Sequence, residues 1–145
     1  MRSRLRGAAA AVLAGTALTV LAGCYWTRYD AVARTHVELL RAMSAKLHDV
    51  AARDGVPPPA MAEFRYPLER ARDFARIAER RFAGRASLAA FWRLCDAYEA
   101  ILGAADRLRA APEDAATRTA FAARVAALEE HATAVVAALD RERAG

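Results

Sequence analysis

The sequence predicts an all-α protein, an antiparallel up-down-up-down four-helix bundle behind a separate N-terminal segment, and three observations carry that expectation. The first is composition: among 145 residues there are 40 Ala and 21 Arg but a single Lys, no Asn and no Gln, with only 5 Pro and 7 Gly. Such a chain is rich in strong helix formers and poor in the residues that favour turns and strands. The second is periodicity, because bulky apolar residues return every three or four positions through four successive stretches, the spacing of one buried helix face. The third is punctuation: short breaks carrying Gly, Pro or acidic residues separate the stretches, and short connections between helices of similar length make antiparallel neighbours. The same facts exclude an all-β domain and a parallel-sheet nucleotide-binding fold.

The N-terminal segment reads as an address. Arg2, Arg4 and Arg6 charge the first six residues, and Gly7 to Gly23 is uncharged, apolar and small, the layout of an export signal. The apolar run closes on Leu21-Ala22-Gly23-Cys24. This quartet, at the end of an apolar run of suitable length, resembles the lipobox of bacterial lipoprotein precursors, a resemblance that covers about one sixth of the chain. It implies a signal peptide over residues 1–23 and a mature chain, 24–145, that begins at Cys24. It also implies lipidation of Cys24, with a diacylglyceryl group on the sulfur and a further acyl chain, such as palmitate, on the amine. Several acyl chains anchor stably where one holds a protein only marginally. The residue after the cysteine is Tyr25 rather than Asp, which in enteric-type lipoproteins implies onward sorting to the outer membrane. The competing reading is an uncleaved span, since Gly7 to Thr27 carries no charge and ends near Tyr25-Trp26. Its Ala, Gly and Thr content makes it a weak one.

In the mature chain the first helix is expected over about 27–53, with the stripe Tyr29, Val32, His36, Leu39, Met43, Leu47 and Val50. Asp54-Gly55 and Pro57-Pro58-Pro59 end it, Gly being suited to the left-handed position past a helix and Pro unable to continue one. The second helix, about 60–83, carries Phe64, Leu68, Ala71, Phe74 or Ala75, Ala78 and Phe82; Pro67 must either start or kink it, and the length favours a kink. Ser87 is placed to cap a third helix over about 88–110, whose face is Leu88, Phe91, Cys95, Tyr98, Leu102 and Ala105. Pro112-Glu113-Asp114 reads as the start of a fourth, about 113–143, with Pro at its first position and two acids on the positive end of its dipole. Its stripe is Phe121, Val125, Leu128, Ala132, Val135 and Leu139.

Charge and chemistry narrow the function. The net charge is +5, but without Arg2, Arg4 and Arg6 there remain 19 basic groups against 17 acidic ones. The basic balance is therefore mostly a targeting feature and argues for no nucleic-acid partner. The most basic stretch of the mature chain holds Arg70, Arg72, Arg76, Arg80, Arg81 and Arg85. It reads either as a solvated face laced with pairs such as Glu69 with Arg72 and Asp73 with Arg76, or as a face for an anionic partner. Catalytic motifs are missing: there is no Gly-rich phosphate loop, no His-Glu-x-x-His and no Gly-x-Ser-x-Gly. Of three serines, Ser3 leaves with the signal, and Ser44 and Ser87 read as helix-surface and cap residues. With Cys24 acylated, Cys95 is the one thiol left, so no intramolecular disulfide forms, and its place in an apolar stripe is that of a small buried hydrophobe.

One constellation remains. At about 1.5 Å of rise per residue, His36, Cys95 and His131 fall roughly 13, 10 and 16 Å from one end of the bundle, a layer that also holds Phe74 and Tyr98. These three are the candidate ligands of a metal or haem. Against that, His131 points about 80° from the centre of its stripe, and the plainer reading is a core His36 bonded to the Tyr98 hydroxyl. Met43 and His131, which echo the ligand pair of haem-binding cytochrome bundles, lie at different heights. The expectation is thus an envelope lipoprotein, periplasm-facing and held by its lipid at the outer membrane, with no enzymatic activity and no cofactor beyond the acyl chains. It would act as a structural or interaction module on another envelope protein. The alternative is a bundle that binds or senses haem or a metal.

Overall fold

The structure, a computed structural model, describes residues 2–53, 57 and 60–144, with side chains from residue 26 onward in those ranges. It contains α1 (Arg2–Arg53), α2 (Ala60–Phe82), α3 (Ala86–Ala110) and α4 (Ala115–Ala144). No strand occurs among the described residues. No proline interrupts residues 2–53, and the helix expected over 27–53 accordingly begins at Arg2. Two compact units divide the chain, Met1–Val32 and Ala33–Gly145. In the first, Trp26 and Tyr29 place their rings 5.2 Å apart.

The second unit is the bundle, and its polar contacts fix the order of its helices. From α1 to α2, His36 lies 5.2 Å from Phe74 ring to ring, and further along α1 the Lys46 ammonium meets the Glu63 carboxylate, earlier in α2. Between α2 and α3, Arg65 reaches Asp106 at 2.9 Å, Arg72 reaches Glu99 at 2.6 Å, and the Trp92 indole N–H donates to Glu79 at 2.9 Å. Near the far end of α4, Glu142 meets Ser87 at the start of α3. Arg34 with Asp140 at 2.6 Å, Arg41 with Glu129 at 2.6 Å and His48 stacked on Phe121 at 6.0 Å close the ring from α1 to α4. In every neighbouring pair the residue numbers run in opposite directions. The topology is the antiparallel up-down-up-down bundle that the sequence predicts.

The core is aliphatic and aromatic. Val37, Leu40 and Leu47 of α1, Phe64 of α2, Phe91, Leu94, Tyr98 and Ile101 of α3, and Leu128, Val135 and Leu139 of α4 are its large members. Stripes on α2, α3 and α4 fall where expected, but α1 is rotated. Its buried line is Ala33, Val37, Leu40, Ser44 and Leu47, whereas Leu39 is 40% exposed and His36, Met43 and Val50 are half-buried. Apolar residues occur in adjacent pairs on α1, so two lanes about 100° apart compete, and the lane with the smaller residues lies against the neighbours.

Helix ends depart from expectation in instructive ways. Pro67 lies inside α2 and is buried there, which settles that it does not start the helix. It supplies no N–H for the Glu63 carbonyl one turn back. In that interrupted turn the Tyr98 hydroxyl donates to the Phe64 carbonyl at 2.9 Å. Gly84 ends α2 at φ +83, the left-handed region open to glycine, and the next amide, Arg85 N–H, donates to the Phe82 carbonyl at 3.1 Å. Ser87 is no cap: α3 begins one residue before it with Arg85 at the N-cap. Its backbone N–H and hydroxyl donate instead to the two carboxylate oxygens of Glu142, at 3.0 and 2.7 Å. Nor does the fourth helix begin at Pro112. Asp114 caps it, accepting from Ala116 N–H at 3.3 Å and Thr117 N–H at 3.1 Å. These bonds stabilise the charged carboxylate and hold Asp114 below the usual aspartate range, the Thr117 side chain contributing most.

Candidate functional site

His36 occupies the layer predicted for it, but its surroundings differ. Its ring tilts over Phe74 and meets the edge of Phe91 at 6.2 Å. Its Nδ1 is buried and has no hydrogen-bond partner among the described residues. Burial, and after it the positive charge of Arg70, lower its pKa from 6.5. The expected bond to Tyr98 is not made, because the Tyr98 hydroxyl is committed to the Phe64 carbonyl at the opening around Pro67. Ser44, read as a surface residue, is 2% exposed, and its hydroxyl has no partner among the described residues either.

The other two candidate ligands do not join His36. Cys95 is fully buried in α3, where desolvation pushes its thiol up to about 12, so it is a small apolar filler and a poor source of thiolate. His131 stands half-buried on the flank of α4. Among the described residues no three His, Cys, Asp or Glu side chains gather closely enough to hold a metal ion. Two aromatic rings occupy the approach to His36, so these residues do not fit a haem or metal site as a set.

The basic face on α2 splits into two populations. Arg72 leaves Glu69 and crosses to α3, where it grips Glu99 at 2.6 and 3.1 Å and touches Asp96 at 3.4 Å. The Glu99 carboxyl is held below its usual range by that hydrogen bond. Arg76 pairs with Asp73 at 2.6 Å, as the i,i+3 spacing predicts. Arg70 and Arg80 make no ion pair among the described residues, and Arg81 and Arg85 are exposed. An open groove of about 650 Å³ runs between α2 and α3 over Leu68, Leu102 and Gly103, with Arg65, Arg72 and Arg76 alternating with Glu69, Asp73 and Asp106 on its walls. Its charges neutralise one another, so the groove does not extend a continuous basic surface.

Cys24, the site of expected lipidation, has its side chain outside the described residues. The contact that sequence reasoning missed is Glu142 with Ser87. One signal was present: a glutamate in the last turn of α4 opposes that helix's dipole, which is favourable only if it serves the start of an antiparallel neighbour. Comparison with protein-family models, curated proteins and solved structures gave no match to this chain.

Proposed function

We propose that this chain is an envelope lipoprotein whose mature part, held to the membrane through acylated Cys24, faces the periplasm as a non-catalytic structural or interaction module. The observation that carries the reading is Leu21-Ala22-Gly23-Cys24 at the end of an apolar run that follows three arginines. Two or three acyl chains at that cysteine suffice for stable anchoring. Tyr25 in the next position favours the outer membrane. The bundle adds support of a different kind: its one described thiol is buried with a raised pKa, and charged side chains such as Arg41 and Arg72 are spent on bonds between helices. The partner is then a second envelope protein that meets an outer face of the bundle, with no nucleic acid involved.

The test is direct. Metabolic labelling with palmitate should mark the wild-type chain, and Cys24→Ser should abolish both the label and the size shift that accompanies removal of the signal. A wild-type chain that takes up no palmitate would end the lipoprotein reading.

A further inference from the structure

We propose that the end of the bundle formed by the α2–α3 turn and the last turn of α4 docks on the anionic phospholipid headgroups of the membrane that holds Cys24, a reading that rests on the lipid anchor proposed above. Five arginines gather there. Arg80 and Arg81 close α2, Arg85 sits at the N-cap of α3, and Arg141 and Arg143 close α4. Antiparallel order brings these termini to one end, and all five side chains are exposed. Three carboxylates of the bundle, Glu79, Asp140 and Glu142, share that end, and the arginines outnumber them. Glu79 accepts the Trp92 indole N–H, Asp140 pairs with Arg34, and Glu142 takes both donors of Ser87.

At the α3–α4 turn, at the opposite end, charge is balanced: Arg107, Arg109 and Arg118 stand among Asp106, Glu113 and Asp114, with Arg109 lying 3.6 Å from Asp106 and Arg118 lying 3.8 Å from Glu113. A mature chain of small net charge is therefore polar along its axis.

Connectivity places the basic end. Within the bundle α1 starts at Ala33, and Arg34 with Asp140 puts that start beside the end of α4. Nine residues lead from Cys24 to Ala33, and nine residues span at most about 30 Å even when fully extended. The 25 residues of α3 alone run about 37 Å. An anchor at Cys24 thus holds the arginine-rich end, and not the balanced one, within reach of the headgroups. The linking residues add no net charge, Arg28 being offset by Asp30. An arginine near an anionic leaflet strengthens binding by about fivefold, within a Debye length of roughly 8 Å at physiological salt.

The experiment uses the full acylated chain on phosphatidylcholine vesicles with or without phosphatidylglycerol. Phenylglyoxal modifies the arginines, and peptide mass spectrometry reads the rate at each site. Phosphatidylglycerol should slow the reaction severalfold at Arg80, Arg81, Arg85, Arg141 and Arg143, leave Arg107 and Arg109 unchanged, and lose its effect in high salt. Equal rates on the two vesicles, or slowing shared evenly by both ends, would overturn the proposal. The mass of the Cys24 peptide reports acylation separately. A chain without acyl groups whose five arginines are still protected would sink the anchor and keep the docking surface, whereas an acylated chain without protection would do the reverse.

Discussion

His36 shows what a single side chain contributes here. Its imidazole is wedged between Phe74 and Phe91, its Nδ1 is cut off from partners among the described residues, and Arg70 adds a positive charge nearby. Burial, and after it the charge of Arg70, disfavour the protonated ring. In the unfolded chain the ring takes up a proton near 6.5, while the folded one does so only at lower pH. Native stability from this group is therefore complete above about 6.5 and declines as the pH falls from there toward the folded value, where the unfolded state binds the extra proton. Thermal melts should show the midpoint falling between about pH 7 and pH 5. His36→Gln should flatten that slope, whatever it does to the midpoint at neutral pH. An unchanged slope in the variant would mean that the ring is not held neutral. Sequence arithmetic found this layer because rise per residue fixes height regardless of contacts. It could not find the direction of the ring, which depends on how α1 is turned about its axis, nor the loss of Tyr98 to a carbonyl beside Pro67 on a different helix.

The rotation of α1 is the clearest lesson at the scale of an element. On α2, α3 and α4 large apolar residues mark one lane, so their buried faces were legible from spacing alone, Phe121 through Leu139 being an example. On α1, Leu39 and Leu40, Met43 and Ser44, and Val32 and Ala33 are adjacent; bulk selects the wrong member of the last two pairs and cannot choose within the first. Packing selects the lane whose small members, Ala33 and Ser44, let neighbouring helices approach. Substitution separates the two lanes. Leu40→Ala removes a side chain with no exposure and should cost about 2 to 5 kcal/mol, whereas Leu39→Ala, from the rim, should cost under about 1 kcal/mol. Urea unfolding of both variants would decide it, and equal losses would place both leucines in the core. The capping errors have a related cause. Ser87 and Pro112 carry local signals for a helix start, but Glu142 and Asp114 supply the oxygens that satisfy the first free N–H groups, and Glu142 comes from 55 residues away.

Across the whole molecule two kinds of polar tie join the helices, and they differ in what they contribute. Arg34 with Asp140, Arg41 with Glu129, Lys46 with Glu63 and Arg65 with Asp106 lie at the surface, each with at least one partner half exposed or more. In water and salt such pairs contribute about 0 to 1 kcal/mol each, and their stronger effect is to fix which helix lies beside which and in what register. The bond of Glu142 to Ser87 is different. Ser87 is fully buried, its backbone N–H is one of the orphan donors at the start of α3, and the last turn of the chain supplies the acceptor. Without the carboxylate, that N–H and the serine hydroxyl would both lose this acceptor inside the protein, at a cost of about 1 to 3 kcal/mol. Glu142→Ala should therefore destabilise the bundle by more than Arg34→Ala, although both remove one charged side chain from the same end. Glu142→Gln keeps an oxygen for one of the two donors and should fall between them. Should calorimetry rank Arg34→Ala as the most damaging of the three, the surface ion pairs would hold the bundle closed and the cap borrowed from the end of α4 would be incidental.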